Sequence, residues 1–201
     1  MMKQLGWDKE KALQVEERYH SLYKHSDDYI AARIQQACKD GYVEVAFGLR
    51  VRTPMLGRSI LGTKVTPYEA AAEGRTVGNA MGQSYGLLNN RAAIAFMEKV
   101  YASPYRYDVM PICLIHDSIY LLVKNDLATL EWVNRELTTA MSWQDLPEID
   151  HPTVKLGAEM DIHYVNWAQP ITIPADADQA TIARICAEGK KKYDEKNLQQ
   201  V

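Results

Sequence analysis

The sequence predicts an α+β fold in which helices pack on antiparallel β-hairpins and a mainly helical segment follows the last strand. Two hairpin patterns occur along the chain, and segments with helical periodicity precede, separate and follow them. The 201 residues are 47% hydrophobic, so the chain can bury a sizeable core. No repeat or linker divides the chain, and we therefore predict one unit with a C-terminal tail.

Two helices and a hairpin are predicted at the start of the chain. Asp8 is the predicted N-cap of a helix that runs to about Tyr23, and Ser26 is the predicted N-cap of a second helix. Gly41 fits a left-handed stop for that second helix. The segment GYVEVAFGLRVRTP then alternates like a strand, turns at Gly48 and continues as a basic second arm.

A long helix is predicted from Pro67 to about Tyr101. Thr66 is its predicted N-cap, and Glu69 completes a capping box. Glycine weakens a helix relative to alanine, so we expect the glycines of this segment to permit a bend or the close approach of another molecule. They are spaced by four residues: Gly74, Gly78, Gly82 and Gly86.

A second hairpin, two helices and a strand are predicted after the long helix. The apolar segments VMPICLI and IYLLV flank the polar residues 116–118, and we expect both of these strands to be buried. Asp126 begins a predicted helix, and Thr153 to His163 is a predicted strand. The last predicted helix runs from about Ala175 to Asn197, with a thin apolar stripe.

The charge distribution limits the function classes. A net charge of -3 lacks the strongly basic signature of many nucleic-acid binders, so basic residues have to be considered locally. Residues 49–75 carry five basic and two acidic side chains, a local balance of +3 that suits phosphate contacts, although an ordinary solvated loop is the alternative. The basic residues are Arg50, Arg52, Arg58, Lys64 and Arg75.

Targeting signals and a cysteine framework are both missing from the sequence pattern. No apolar run approaches membrane-spanning length, and the N-terminus resembles neither a signal nor a transit peptide, so we predict a cytoplasmic protein without a membrane partner. The three cysteines are far apart and odd in number, which fits neither a disulfide framework nor a zinc site. We expect Cys38, Cys113 and Cys186 to be buried apolar residues.

The dipeptide His116-Asp117 is the first candidate for chemistry, because it lies between two apolar strands. A hairpin can hold a carboxylate at the floor of a cleft, and Mg²⁺ prefers such hard oxygen ligands, with phosphates and water completing its shell. An aspartate in a tight turn also occurs for conformational reasons alone. The residues by themselves leave both interpretations open.

A polar row on the long helix is the second candidate. Arg75, Asn79 and Gln83 are spaced by four, and each step of four drifts by only about 40° around a helix, so their side chains lie in one row. We expect Asn90 to extend it. Exposed helix faces usually carry Lys and Glu, whereas Arg, Asn and Gln are residues that hydrogen-bond bases, sugars and phosphates. An ordinary solvated face remains the alternative.

Taken in order, these segments resemble the family A DNA polymerases, the group of bacterial polymerase I and many phage enzymes. EGRTVGNAMGQSYG is similar to the family segment with Arg, Asn and Gln at intervals of four, and CLIHDSIYLLV to its palm hairpin. VKLGAEMDIHYVNW resembles the final strand with its Asn166-Trp167 ending. The resemblance implies a phage-type enzyme: residues 1–167 form the C-terminal part of the palm and fingers, and residues 168–201 form a mainly helical extension.

The resemblance also implies roles for the candidate residues. His116 would contact the primer-terminal phosphate, and Asp117 would bind the two catalytic Mg²⁺ ions. Ser118 stands where the family usually has Glu, so it is a weak candidate ligand. The implied partners are dNTP and primer-template DNA. The row Arg75, Asn79 and Gln83 would hold the DNA in its minor groove. The further DNA-binding candidates are Asn90, Arg50 and Arg52.

Two family segments do not occur in this sequence. They are the DYSQIELR-like strand with the other essential aspartate, and the nucleotide-binding helix with Lys and Tyr. We therefore expect a part or subunit of a DNA-directed DNA polymerase that needs an N-terminal polymerase polypeptide. If it is phage-encoded, it acts in the bacterial host cytoplasm. Without its partner, the chain should be marginally stable or prone to self-association. A single-subunit RNA polymerase fragment, which shares His-Asp-Ser, and a noncatalytic DNA-binding or assembly module are the alternatives.

Overall fold

The computed structural model describes residues 6–60, 67–147, 149–163 and 166–198. The chain divides into two compact units, Met1–Tyr85 and Gly86–Val201, called unit 1 and unit 2. Each unit combines helices with two-stranded antiparallel sheets. The predicted α+β class is therefore confirmed. Among the described residues, no helix is long and apolar enough to cross a membrane.

Unit 1 begins with the two predicted helices. The Asp8 carboxylate caps the first helix by accepting a 2.7 Å hydrogen bond from the Lys11 backbone N–H, as predicted. The second helix begins at Lys24, so Ser26 lies inside it and the predicted Ser26 cap is wrong; it ends as predicted at Gly41, which has φ 73°. The elements of unit 1 are α1 Lys9–Leu22, α2 Lys24–Asp40, β1 Tyr42–Glu44, β2 Arg50–Arg52, α3 Pro54–Ile60 and α4 Pro67–Gln83.

The β1–β2 hairpin packs on a small core. Its strands pair in register from Tyr42 opposite Arg52 to Glu44 opposite Arg50, and its turn contains Phe47 and Gly48 at φ 61° and 72°. The turn at Gly48 was predicted. The core beneath the hairpin joins it to α2, α3 and α4 through Ala37, Val43, Leu56, Val77 and Met81.

The single long helix predicted across this region is wrong. Helix α4 ends at Gln83, and one turn of 3-10 helix, Ser84–Gly86, separates it from helix α5, Leu87–Ala102. The Ser84 hydroxyl donates to the Met81 carbonyl at 3.0 Å and accepts from the Ala46 backbone N–H at 3.2 Å. It therefore competes with the α-helical pattern where Gly86 also weakens it. The predicted cap Thr66, like Lys64, lies outside the described residues.

Unit 2 is built on the packing of two helices and a hairpin. Phe96 and Val100 of α5 are fully buried against Val109 and Val133, and the Trp132 ring lies 5.8 Å from that of Phe96. The α6 helix starts after the predicted N-cap Asp126, whose carboxylate accepts a 3.0 Å hydrogen bond from the Thr129 backbone N–H. The elements after α5 are β3 Val109–Ile115, β4 Ser118–Val123, α6 Leu127–Met141, β5 Met160–His163, β6 Pro170–Ile173 and α7 Gln179–Leu198.

The predicted strand from Thr153 to His163 is mostly irregular, and only Met160–His163 forms a strand. The Gln144 side chain accepts from the Leu156 backbone N–H at 2.7 Å and donates to the Val154 carbonyl at 3.4 Å. These groups are therefore bound to a side chain and not to a neighbouring strand. Glu148, and residues 164–165 of the segment that resembles the family's last strand, lie outside the described residues.

The segment after position 167 contains a strand that the sequence analysis did not predict. Strand β6 pairs with β5, Met160 opposite Ile173, and its flanking prolines hid it in the sequence. Helix α7 begins later than predicted, after Asp178, whose carboxylate accepts from the Thr181 backbone N–H at 2.8 Å. Its Ile182 is fully buried against Ile173, as the predicted apolar stripe requires.

Two burial predictions are wrong. Cys113 is exposed, and Cys38 and Cys186 are only half-buried. The apolar strand β3 is exposed at every residue after Val109. Its sequence is that of a strand buried on both faces, yet the described chain leaves residues on both of its faces exposed.

Candidate active-site turn and DNA-binding row

The β3–β4 hairpin presents its two turn residues to solvent. Ile115 pairs with Ser118, so His116 and Asp117 form the whole turn. His116 adopts φ 52°, a left-handed conformation that is uncommon for residues other than glycine but enriched in histidine. Both side chains are exposed, and the Asp117 carboxylate is therefore open to a cation or a solvent molecule.

Asn89 ties this turn to helix α5. Its side-chain Nδ2 donates to the carbonyl oxygens of His116 at 3.3 Å and Ser118 at 3.2 Å. The two accepting residues are those on either side of Asp117. Asn89 is only 6% exposed, so the turn is held from the inside of unit 2 and not by solvent.

A groove runs from this turn along β4. It has a volume of about 740 Å³ and is lined by residues of β4, α6 and β5, and its lining includes Asp117, Asp161 and Trp167. The Trp167 ring lies 4.8 Å from the ring of Tyr120 on β4. The Asn-Trp ending singled out in the sequence is therefore packed beside the hairpin that carries Asp117.

The polar row on α4 has the predicted geometry. Arg75, Asn79 and Gln83 are all exposed, whereas Val77 and Met81 between them are buried in the core of unit 1. Asn90 is also exposed but lies on α5, so the row does not continue along one helix to it.

Helix α4 has open space at two of its glycines. Apart from the neighbouring residues and the backbone of the helix itself, no atom of the described chain lies within 4 Å of the position that a Cβ would take at Gly78 or Gly82. The close approach of another molecule is therefore sterically possible along this part of α4. The nearest atom at Gly74 is Cδ1 of Ile34, at 4.0 Å.

The two basic residues of β2 differ in how much of their charge is available. Arg50 Nε lies 3.4 Å from the Glu44 carboxylate, and its guanidinium lies 4.6 Å from the centroid of the Tyr42 ring. Arg52 is exposed on the same strand, opposite Tyr42 in the register. Arg52 is thus the better placed of the two for an anionic ligand.

Comparison with known proteins identifies the fold. No protein-family model and no curated protein sequence matches the chain. Among solved structures, it is similar to the POL domain of Pol1 from M. smegmatis in complex with DNA primer-template and dNTP, with a TM-score of 0.60 and 20% identity. The chain has a DNA polymerase fold. The match covers 77% of this chain and 25% of that one, so the chain spans about a quarter of that structure.

The turn offers one exposed carboxylate to a divalent metal ion. In the described ranges, no three His, Cys, Asp or Glu side chains are grouped closely enough to hold a metal ion. The exposed Asp117 carboxylate can supply oxygen ligands, and Mg²⁺ commonly takes only one or two carboxylates from protein. Any further ligands would have to come from substrate, water or residues outside the described chain. A ligand role for Ser118 stays a prediction.

The sequence analysis missed Asn89, although the pattern contained a signal for it. Ala92, Phe96 and Val100 are fully buried and continue at three-, seven- and eleven-residue offsets from Asn89. Asn89 therefore occupies the buried stripe of α5, where an apolar residue is expected. A polar residue in such a stripe indicates a specific hydrogen-bonding partner elsewhere in the polymerase fold.

Proposed function

We propose that the chain supplies the primer-gripping and metal-binding part of a DNA-directed DNA polymerase active site. The observation that carries this proposal is the exposed Asp117 carboxylate at the tip of a hairpin in a polymerase fold. The solved structure with this fold contains DNA primer-template and dNTP, which supports the same substrate classes here. The reaction is template-dependent transfer of a nucleotide to a DNA 3′ end.

The turn residues have distinct tasks in this proposal. Asp117 holds divalent metal, and two Mg²⁺ ions supply activation of the 3′-hydroxyl and neutralisation of the leaving pyrophosphate. His116 contacts the primer-terminal phosphate. Both side chains are exposed, and the buried amide of Asn89 fixes the backbone that carries them. Fixed direction matters because catalysis by such sites depends on positioning.

The row on α4 grips the DNA duplex. Minor-groove acceptors are nearly alike for all correct base pairs, so Arg75 and Gln83 can test pair geometry without reading the sequence. Asn79 lies between them in the exposed row, and the open space at Gly78 and Gly82 lets a strand approach the helix backbone. Arg52 and Asn90 add exposed contacts.

In this proposal the active site is completed by a polymerase polypeptide that carries the other aspartate motif and the nucleotide-binding helix, neither of which occurs in these 201 residues. The exposed hairpin supports such a partner. Met110 and Leu122 are cross-strand neighbours and are 62% and 61% exposed, and Ile112 and Leu114 are exposed beside them. Apolar surface of this kind, on a strand with both faces uncovered, marks a protein-protein contact.

A single-subunit RNA polymerase part is the second candidate, because Ser118 completes a His-Asp-Ser turn. A noncatalytic DNA-binding module is the third, since the turn offers a single carboxylate and the described residues contain no metal-ligand cluster. The polar row on α4 and the Asn-Trp ending favour the DNA polymerase.

Primer extension tests the proposal. The partner is isolated by co-purification with the tagged chain and recognised by a DYSQIELR-like segment. The assembly is then assayed on a primer-template with Mg²⁺ and either deoxynucleotides or ribonucleotides. We expect deoxynucleotide extension that Asp117→Ala reduces by more than about 100-fold, because a carboxylate clamp on metal supplies several kcal/mol of transition-state stabilisation.

Asp145→Ala is the control, since Asp145 is an exposed carboxylate outside the turn. An assembly in which Asp117→Ala extends as well as Asp145→Ala would show that the metal assignment is wrong. Extension with ribonucleotides alone would favour the RNA polymerase. Salt-sensitive DNA binding without extension would favour the noncatalytic module.

A further inference from the structure

We infer that Asn89 is a positioning residue for the Asp117 carboxylate, an inference that rests on the proposed function. Asn89 contacts neither metal nor substrate in this role. It acts through the backbone of the turn, by holding the peptide group that joins His116 to Asp117 and the carbonyl group of Ser118, one residue after Asp117.

The geometry of the contact is specific to the turn. A primary amide has two N–H protons, and Asn89 Nδ2 reaches two carbonyl oxygens, those of His116 at 3.3 Å and Ser118 at 3.2 Å. These carbonyls lie one residue before and one residue after Asp117. One side chain therefore restrains both neighbours of the carboxylate-bearing residue, including His116 in its left-handed conformation at φ 52°.

The antiparallel ladder does not need this contact. Strands β3 and β4 already pair from Val109 opposite Val123 to Ile115 opposite Ser118. The carbonyl of His116 belongs to the turn and lies beyond the last pair of this ladder, so strand pairing does not restrain it. The amide adds a restraint from α5, a helix anchored by the fully buried Phe96 and Val100.

The contact also carries a cost that packing alone would not tolerate. Asn89 Oδ1 is buried and has no hydrogen-bond partner in the described part of the chain. A buried acceptor without a partner is unfavourable, and an apolar residue would suit the stripe of Ala92, Phe96 and Val100 better. The two hydrogen bonds from Asn89 to the turn have to offset this cost.

Asn134 provides a matched control for the test. It is 1% exposed, and its Nδ2 donates to the backbone carbonyls of Pro174 and Ala175 at 2.7 and 3.3 Å. Its Oδ1 is also buried without a partner among the described residues. Asn134 thus makes the same kind of contact as Asn89, but to the segment that joins β6 to α7.

The first arm of the test uses the full chain alone, without DNA or partner. Asn89→Asp keeps the size of the side chain and removes both donors. We expect the carbonyl ¹³C resonances of His116 and Ser118 to shift in this variant, and the φ-dependent coupling constant of His116 to change. Asn134→Asp should leave those signals in place. Unchanged turn signals in Asn89→Asp would overturn the inference.

The second arm measures Mg²⁺ dependence in the assembled polymerase. Loss of a residue that orients a metal ligand typically costs 10–100-fold in metal affinity or activity. For Asn89→Asp we expect the Mg²⁺ concentration at half-maximal primer extension to rise by about tenfold or more. For Asn134→Asp we expect a lower melting temperature and an unchanged Mg²⁺ midpoint. A purely structural role of Asn89 would shift both variants alike.

The outcomes for the inference and for the proposed function are distinct. Wild-type extension with Asn89→Asp indistinguishable from Asn134→Asp would overturn the positioning role and leave the proposed function intact. A wild-type assembly that extends no primer would overturn both, even where the first arm shows the tether in solution.

Discussion

Replacing Gly189 by alanine tests how the C-terminal helix packs on its strand. Gly189 lies within α7, and a Cβ at this position would meet Cδ1 of Ile171 on β6 at 2.6 Å and Cγ1 at 2.8 Å. Both distances are shorter than carbon atoms tolerate, so Ile171 or the helix must move. Gly78→Ala is the matched substitution, because Gly78 is also helical but, apart from its chain neighbours and the backbone of its own helix, has no atom of the described chain within 4 Å of its Cβ position.

The magnitude follows from two opposing terms. Gly-to-Ala in a helix interior stabilises by about 0.5–1 kcal/mol. Overpacking a filled contact costs about 1–3 kcal/mol. Gly78→Ala should therefore raise the free energy of unfolding by about 0.5–1 kcal/mol, whereas Gly189→Ala should lower it by about 0–2.5 kcal/mol. The helix term cancels between the two variants, so their difference reports the clash, about 1–3 kcal/mol.

Urea unfolding, with amide hydrogen exchange of the helix that carries each substitution, measures both values. The double variant with Ile171→Ala removes the three side-chain atoms that the new methyl group meets, so the double-mutant cycle should return a coupling of about 1–3 kcal/mol. Equal stabilisation by Gly189→Ala and Gly78→Ala would refute the packing of α7 on β6.

Three further predictions concern pH, the core and DNA binding. The pKa of Asp126 is lowered, first by the hydrogen bond from the Thr129 backbone N–H and then by the one from the Thr129 hydroxyl. The ionised carboxylate therefore stabilises the folded state above the unfolded pKa of about 3.9, and this contribution is lost as the pH falls through the lower folded pKa. Below about pH 4, the urea midpoint should accordingly decline less in Asp126→Ala than in wild type. Phe96→Ala should lower the free energy of unfolding by about 3–5 kcal/mol in urea titrations, because the ring is fully buried. In salt titrations, Arg52→Ala should reduce the slope of log DNA affinity against log salt concentration by about 0.9. Arg50→Ala should reduce it by less, because the charge of Arg50 is already paired with Glu44 within its hairpin. Equal reductions would show that this pairing does not persist in the complex.

Local chemistry allowed several elements to be predicted from sequence. Asp8 and Asp126 cap their helices by accepting backbone hydrogen bonds three residues ahead, and Gly41 ends α2 in the left-handed conformation. The turn of β3–β4 was predictable because polar residues interrupt an apolar pattern. The exposed row on α4 followed from four-residue spacing, although the roles of these residues stay predictions.

The errors share a physical cause. Each of the features that were missed depends on a hydrogen bond between a side chain and backbone that is distant in sequence. Ser84 bonds the Ala46 backbone at the end of α4, Gln144 bonds the segment before β5, and Asn89 bonds the turn. Periodicity and capping rules describe neighbours along the chain and cannot anticipate such contacts. The exposure of β3 was missed for a related reason. Its apolar sequence suits a strand that is buried on both faces, but a sequence does not show whether the surface that buries it belongs to the same chain.

The exposed thiol of Cys113 gives the hairpin a built-in reporter. Cys113 lies on β3 opposite Tyr120, four positions before the catalytic candidate Asp117, and it is exposed. At Cys186, by contrast, burial raises the pKa of the thiol and so reduces its reactivity. A maleimide dye should therefore modify Cys113 fastest. If a second polypeptide binds the β3–β4 hairpin, it should slow the alkylation of the Cys113 thiol. This measurement reports binding without nucleotide, template or turnover.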